Sequence, residues 1–406
     1  MWTCPVCETA NDTYKCSKCG FDKSKDYTRH WFLCELSEKD RKLPEKQKLQ
    51  KNVMMKDRDR DFVFGRKVKR KWIRRITFLN GEKKLSLDTW DISETQDGSV
   101  LAHLKGNFGL KKELFIWADG KITANKDCSC LFADYENLEV IEGLENLETG
   151  QVENMSEMFA FCKSLRTLDV SHFDTSQVSD MRYMFYWCKD LEKLDVSHFD
   201  TSQVGDISCM FFDCEGLEKL DVSHFDTNQV RDMNRMFCWC EGLEKLDVSY
   251  FDTRQVRDMS QMFYRCESLE KLDLSHFDTS RVENMRYMFD QCIGLEELEL
   301  SHFDTSRVES MLSMFDDCEE LKELDLSHFD TSQVRDMKYM FADCSNLERL
   351  DISNFEVKQI WTWDMEGMFS ECDSLEELDI SGFDERKNDG AFLRELSIPY
   401  DTEVKR

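Results

Sequence analysis

The sequence predicts an α/β repeat solenoid, with a parallel sheet on one side and short helices on the other, for most of its 406 residues. Three observations point there. The segment "KLDVSHFDTSQV" at Lys193–Val204 returns almost verbatim at Lys219–Val230 and again, as "KLDLSHFDTSRV", at Lys271–Val282. Phe173, Phe199, Phe225, Phe251, Phe277, Phe303, Phe329 and Phe355 recur in steps of 26, and Phe383 follows after 28. A cysteine column from Cys162 to Cys372 takes the same steps. Self-similarity at such a period marks stacked structural units, none of which can bury its apolar face alone.

At the N-terminus, Cys4, Cys7, Cys16 and Cys19 form two CxxC pairs in a C-x2-C-x8-C-x2-C spacing. Each pair turns two thiolates toward one point, and two pairs complete a tetrahedral site for one structural zinc. The pattern resembles short zinc ribbons and sets residues 1–24 apart as a small metal-stabilised unit. Two redox dithiols are the alternative, but no βαβ context accompanies them. Residues 25–60 are dense in Lys, Glu, Arg and Asp and read as a charged linker. Residues 61–127 form a cap before the array. Their basic run at 66–75, "RKVKRKWIRR", is interrupted by Val68, Trp72 and Ile73, which suits a strand.

The repeats occupy 128–384. Met181, Met184, Phe185 and Cys188 fall at i, i+3, i+4 and i+7, the apolar stripe of a two-turn helix. Asp180 precedes it in a column of Asn154, Asp206, Asp232, Asp258, Asn284, Ser310, Asp336 and Asp364, all good N-caps. Leu194 and Val196 then alternate with Lys193, Asp195 and Ser197 in a strand's period of two. Asp200-Thr201-Ser202 turns the chain through side-chain bonds to the backbone. A last strand within "AFLRELSIPYD" closes the stack, making 385–406 a C-terminal cap and tail.

The column cysteines share a stripe with Met and Phe, where free cysteine behaves as a small hydrophobe, so they are expected in the core. Outward strand positions vary: Lys193 and Lys219 give way to Glu297 and Glu323, then Arg349 and Glu377. With Glu299 and Asp325, these make the C-terminal end of the strand face acidic, suited to a basic protein partner. Trp361 and Trp363 sit in the two-residue insertion. They serve either as a binding hot spot or as a shield over the array's end.

The motif Leu191-x-x-Leu194-x-Val196-x-x-Phe199 resembles the leucine-rich repeat pattern, with Phe in the usual Asn place. The longer "LDVSHFDTSQVxDMxxMFxxC" is similar to the BspA-type leucine-rich repeat family of bacterial surface proteins. "VFGRKVKRKWIRRITFLN" and "ADGKITANKDCSCLFADYENLEVI" resemble the part that precedes such arrays. The likeness spans roughly Asp61 to Asp384. It implies a solenoid that binds other molecules, and it brings no catalytic residues.

Charge divides the chain. Residues 1–75 carry 21 basic against 11 acidic side chains, while the whole chain has a formal charge of −28. The acidic body disfavours nucleic acid and anionic membranes. No apolar run is long enough to span a bilayer. No signal peptide or anchor is visible, which places the protein in the cytoplasm, with the cell surface or non-classical secretion as the family-based alternative. No phosphate loop or catalytic constellation stands outside the repeat grammar, so neither an enzyme nor a small-molecule substrate is expected. The expected protein is a monomeric binding solenoid with a zinc-ribbon head. The alternative is a nucleic-acid-associated factor using the ribbon and segment 66–75 while the repeats recruit protein.

Overall fold

The computed structural model describes residues 52–57, 59–66, 68–81, 89–106 and 112–406, together with the backbone of Trp2–Thr3 and Ala10–Asn11. The chain divides into two units, Met1–Gln50 with Lys84–Asp88, and Lys51–Lys83 with Thr89–Arg406. In the first, Trp2–Thr3 pairs antiparallel with Ala10–Asn11. Cys4, Cys7, Cys16 and Cys19 lie outside the described residues.

The second unit begins with the cap. Its five-stranded sheet runs in the order Thr89–Asp91, Val100–Lys105, Lys112–Ala118, Ile73–Asn80, Val140–Glu142. The first three strands pair antiparallel; the last two join in parallel and lead into the array. Met54, in the stretch read as linker, is fully buried here, and its N–H donates to the Thr123 carbonyl at 2.9 Å.

Each coil of the array is then built the same way. The parallel strands expected at the Lys–Leu positions form, but each is only two or three residues long. Thr167–Leu168 pairs with Lys193–Leu194, Lys219–Leu220 with Lys245–Leu246, and Lys271–Leu272 with Glu297–Leu298. At the C-terminal end Arg349–Asp351, Glu377–Asp379 and Glu403–Lys405 make a three-stranded parallel sheet. The last of these strands comes after "AFLRELSIPYD", not within it, where the helix Gly390–Glu395 forms.

The predicted two-turn helices do not form. Over Met181–Cys188 the backbone amides divide their bonds between the local chain and the next coil. Met184, Tyr186 and Cys188 donate three residues back, to Met181, Tyr183 and Phe185. Met181, Tyr183, Phe185 and Trp187 donate instead to carbonyls of Asp206, Ser208, Met210 and Phe212, at 2.8–3.2 Å. Tyr183 and Trp187 adopt φ of 58° and 61°. A left-handed third residue with an i+3 bond is the signature of a type II turn, and it ends any helix. The structure is thus consecutive tight turns laddered to the neighbouring coil. Among the described residues the one α-helix is Gly390–Glu395.

The Asp column keeps its capping chemistry in this different element. Asp206 Oδ1 accepts from the Ser208 N–H at 2.9 Å, and Asp232 from Asn234 at 2.8 Å. The same residues form parallel bridges from coil to coil, Asn154 to Asp180 to Asp206 and onward to Asp336.

The core is a set of ladders. Phe185, Phe211 and Phe237 stack at 5.6 and 5.8 Å between centroids, with nearly parallel rings, and the series runs from Phe132 to Phe369. Met181, Met184, Leu191, Val196 and Val204 are fully buried around it. Burying each such side chain is worth about 1.5–3 kcal/mol. The cysteine column lies in this core as expected. Cys188 Sγ donates to the Phe159 carbonyl at 3.2 Å, and each column cysteine does the same to a Phe one coil earlier. Thr201 Oγ1 donates to the Asp226 carbonyl at 2.9 Å, one rung of a buried threonine ladder.

Candidate partner-binding surface

Around the inward Leu194 and Val196, three columns lie exposed: Glu192, just before the strand, Lys193 and Asp195, and their equivalents in later coils. The Asp column is held by its own turn. Asp195 Oδ1 accepts from the Ser197 hydroxyl at 2.7 Å and its N–H at 3.0 Å. These bonds hold the Asp195, Asp221 and Asp273 carboxyls below the usual carboxylate range. The column is therefore a row of fixed negative charges.

Glu297, Glu299, Glu323, Asp325 and Arg349 all lie exposed on this strand face, on successive coils. Glu297 pairs with Lys271 at 3.4 Å. Glu323 bridges in register to Arg349, which reaches Glu377 at 3.7 Å. Glu299 and Asp325 accept from Ser301 and Ser327 N–H groups at 2.8 and 2.9 Å. The acidic side chains thus share the strand face with Lys271 and Arg349. A shallow groove on the same face lies further toward the N-terminus, among the Lys-bearing coils. Lys219, Asp221, Lys245, Asp247 and Lys271 line it.

Trp361 and Trp363 belong to another part of the coil. Trp361 precedes the short turn Thr362–Met365 and Trp363 lies within it; the two rings stack at 5.0 Å and 4°, and are 64% and 58% exposed. Side chains so open shield little of the array's end, so the capping reading is not met. Arg386 acts there instead, its guanidinium donating to the Ile360 carbonyl at 2.7 Å and to that of Val357.

In the basic segment 66–75 the arginines make internal contacts, while Lys69 and Lys71 are exposed. The Arg70 side chain is buried, paired with Asp57 at 2.8 Å and donating to the Cys130 and Ala133 carbonyls at 2.7 Å. Arg74 and Arg75 pair with Glu139 and Glu142 of the first coil, and Arg66 lies 4.8 Å from the Trp90 ring centre. Arg70, Arg74 and Arg75 tie the cap to the array, and the nucleic-acid alternative finds no support in them.

A second charged region was missed in the sequence. Asp290 and Asp316 occupy the place between the stacked Phe and the φ-positive residue, where sister coils carry Tyr186, Phe212, Cys238 and Ala342. A carboxylate in a column otherwise mostly apolar was the readable signal. Burial raises Asp290 to about 8, with neighbouring Asp316 and Asp317 adding to it, and burial raises Asp316 to about 6. In the histidine column, His198 Nε2 lies 3.1 Å from the Val170 carbonyl. Among the described residues no group of three or more His, Cys, Asp or Glu side chains is arranged to hold a metal ion. No helix among them is long and apolar enough to cross a membrane.

No curated protein matches this chain. Among solved structures, one similar chain is a leucine rich cell surface protein from Faecalibacterium prausnitzii A2-165. It is 15% identical, with a TM-score of 0.30, covering 74% of this chain and 96% of that one. The family model described as "Mycoplasma protein of unknown function, DUF285" matches residues 126–245, 215–297 and 294–391, the same stretch in which the turn-and-strand coils stack. With most of its length inside those matches, the chain belongs to the DUF285 family of Mycoplasma proteins of unknown function.

Proposed function

We propose that this protein is a non-enzymatic binding protein whose stacked coils offer their strand face to a basic protein partner. One observation carries the reading. Inward columns hold Leu, Val and Phe with little change, while the outward positions Lys193, Lys219, Glu297, Glu323, Arg349 and Glu377 vary and are exposed. Inward residues must keep one shape for the stack to close; outward ones are free to encode a surface. The BspA-type resemblance supports the same role. The N-terminal unit holds one structural zinc in this reading, through Cys4, Cys7, Cys16 and Cys19. The paired CxxC spacing is what supports this part of the reading.

The test uses the full chain. A partner captured by it is titrated against the wild type and against Glu297→Lys, Glu323→Lys, Asp325→Lys combined, at two salt concentrations. Charge reversal is expected to slow association about tenfold at low salt, with a smaller effect at high salt. Unchanged rate and affinity in a folded triple variant would move the site to the exposed Trp361–Trp363 pair. For the metal, elemental analysis is expected to find one zinc per chain and to lose it in Cys16→Ser.

A further inference from the structure

Asp290 poses a problem that the strand face does not solve. Its side chain is 4% exposed, and its Oδ1 has no hydrogen-bond partner. A buried polar atom left without a partner costs about 1–3 kcal/mol, more when charged, and calls for an explanation. The groups facing it are Asp316, Asp317, Arg265, Gln291, Tyr264 and Tyr287. The Gln291 N–H donates to the Asp316 carbonyl at 2.7 Å, which sets the two coils in direct register. Asp343 continues the group one coil further, opposite Asp317 and Asp316.

The protein's own cations do not neutralise this corner. Arg265 faces Asp290, but among the described residues it is already held by Glu267 at 2.9 Å and Glu241 at 3.3 Å. Its guanidinium also lies 4.0 Å from the Trp239 ring centre. From Asp290 to Asp325 the sequence has twelve carboxylates and two basic residues, Arg307 and Lys322. None of Asp290, Asp316, Asp317 or Asp343 forms an ion pair within the described residues. The carboxylates are not arranged as a metal-ligand set. What remains is a half-desolvated negative seat beside the Tyr264 and Tyr287 rings, which suits an organic cation.

We propose that this turn-side corner, Asp290 with Asp316, Asp317 and Asp343, seats a lysine or arginine side chain from a basic segment of a partner protein. The site belongs to the turn segment of each coil, not to the strand face, and stands or falls independently of it. An incoming ammonium or guanidinium supplies the missing charge where water is partly excluded, so its attraction is screened less than at an open surface. Binding also requires the carboxyls to be ionised, and this ties affinity to pH. Asp290 and Asp316 titrate at about 8 and about 6, so both hold protons in mild acid and release them as pH rises.

The probe is fluorescently labelled octalysine, titrated into the full-length protein by anisotropy. Three chains are compared: wild type, Asp290→Asn/Asp316→Asn/Asp317→Asn, and a control carrying Glu297→Gln/Glu323→Gln/Asp325→Asn, which removes the same charge from the strand face. The corner variant is expected to bind about tenfold more weakly than the control. Wild-type affinity is expected to fall about tenfold from about pH 8 to about pH 5, and this fall is expected to vanish in the corner variant. Equal losses in both variants would mean that octalysine senses only net charge, and would overturn the proposal. So would pH-independent binding, or calcium at millimolar concentration displacing the probe from the corner alone. If the corner triple fails to fold, Asp316→Asn/Asp317→Asn, at two partly exposed positions, reads the same loss against the control's strand-face double Glu297→Gln/Glu323→Gln. A strand face that fails its own charge-reversal test leaves this comparison intact.

Discussion

Gly382 stands in a column that otherwise reads His172, His198, His224, Tyr250, His276, His302, His328 and Asn354. The repeat consensus would put histidine there. A Cβ at that position would lie 1.6 Å from the Ser353 carbonyl oxygen, so the backbone itself forbids it. Gly382→His is therefore expected to destabilise the chain, although it restores the consensus. The cost should be at least that of core overpacking, about 1–3 kcal/mol, read as a fall in Tm. His276→Gly, at an exposed sister site, should cost far less. An equal cost at both sites would show that the close approach at Gly382 is not what selects glycine. The cysteine column was easier to read from sequence, because Met and Phe neighbours on one stripe announce burial whatever the backbone does. Burial raises Cys188 and Cys240 to about 12, so these thiols should resist a thiol reagent until the protein unfolds. Among the described cysteines, Cys130, only half-buried, should react first. Rapid native labelling of Cys188 would contradict the core assignment.

At the scale of elements, the sequence reading identified which residues point inward and mistook the backbone that points them. Met181, Met184, Phe185 and Cys188 are all fully buried, as the helical stripe required. Two consecutive four-residue turns repeat their inward positions at the same spacing as a helix, so apolar periodicity cannot separate the two. Asp180 and its column misled in the same way, since an Asp that caps a helix also closes an Asx turn. The discriminating feature is the left-handed φ at Tyr183 and Trp187, positions where sequence reasoning looks for Gly or Asn. Only Gly367 meets that expectation, and its reason is partly different: a Cβ there would lie 2.4 Å from the Tyr339 ring. Far-UV circular dichroism should thus show little helical signal, far below what ten two-turn helices would give. A strong helical minimum would contradict the turn ladder. Asp206→Ala removes the bonds to the Ser208 N–H at 2.9 Å and hydroxyl at 2.6 Å. It should cost about 0.5–1.5 kcal/mol, while the inter-coil bond accepted by the Asp206 carbonyl survives.

The whole molecule carries a formal charge of −28, and two groups of carboxyls within it respond to pH in opposite ways. Asp290, Asp316 and Asp213 have folded values raised to about 8, about 6 and about 6, mainly by burial. The unfolded chain releases those protons near the ordinary value of about 4. Between these limits the folded state binds more protons than the unfolded one, so stability must rise as pH falls from about 8 toward about 4. The serine-bonded carboxyls, such as Asp195, Asp200 and Asp325, are lowered in the folded state. Their contribution is present above about 4 and is lost as pH drops further, through their folded values. The two trends meet on the acid side of neutrality. Thermal unfolding followed across this range should give a maximum near about pH 4–5, not at neutrality. Self-repulsion of the net charge predicts the same direction, so the maximum alone does not identify the cause. Asp290→Asn separates them. It removes a single charge from 82 acidic residues, which barely alters the net repulsion, yet it removes the most strongly raised of these carboxyls. If burial at the corner sets the slope, the variant gains stability at about pH 8 and little at about pH 5. If net charge sets it, the variant's curve runs parallel to the wild type throughout.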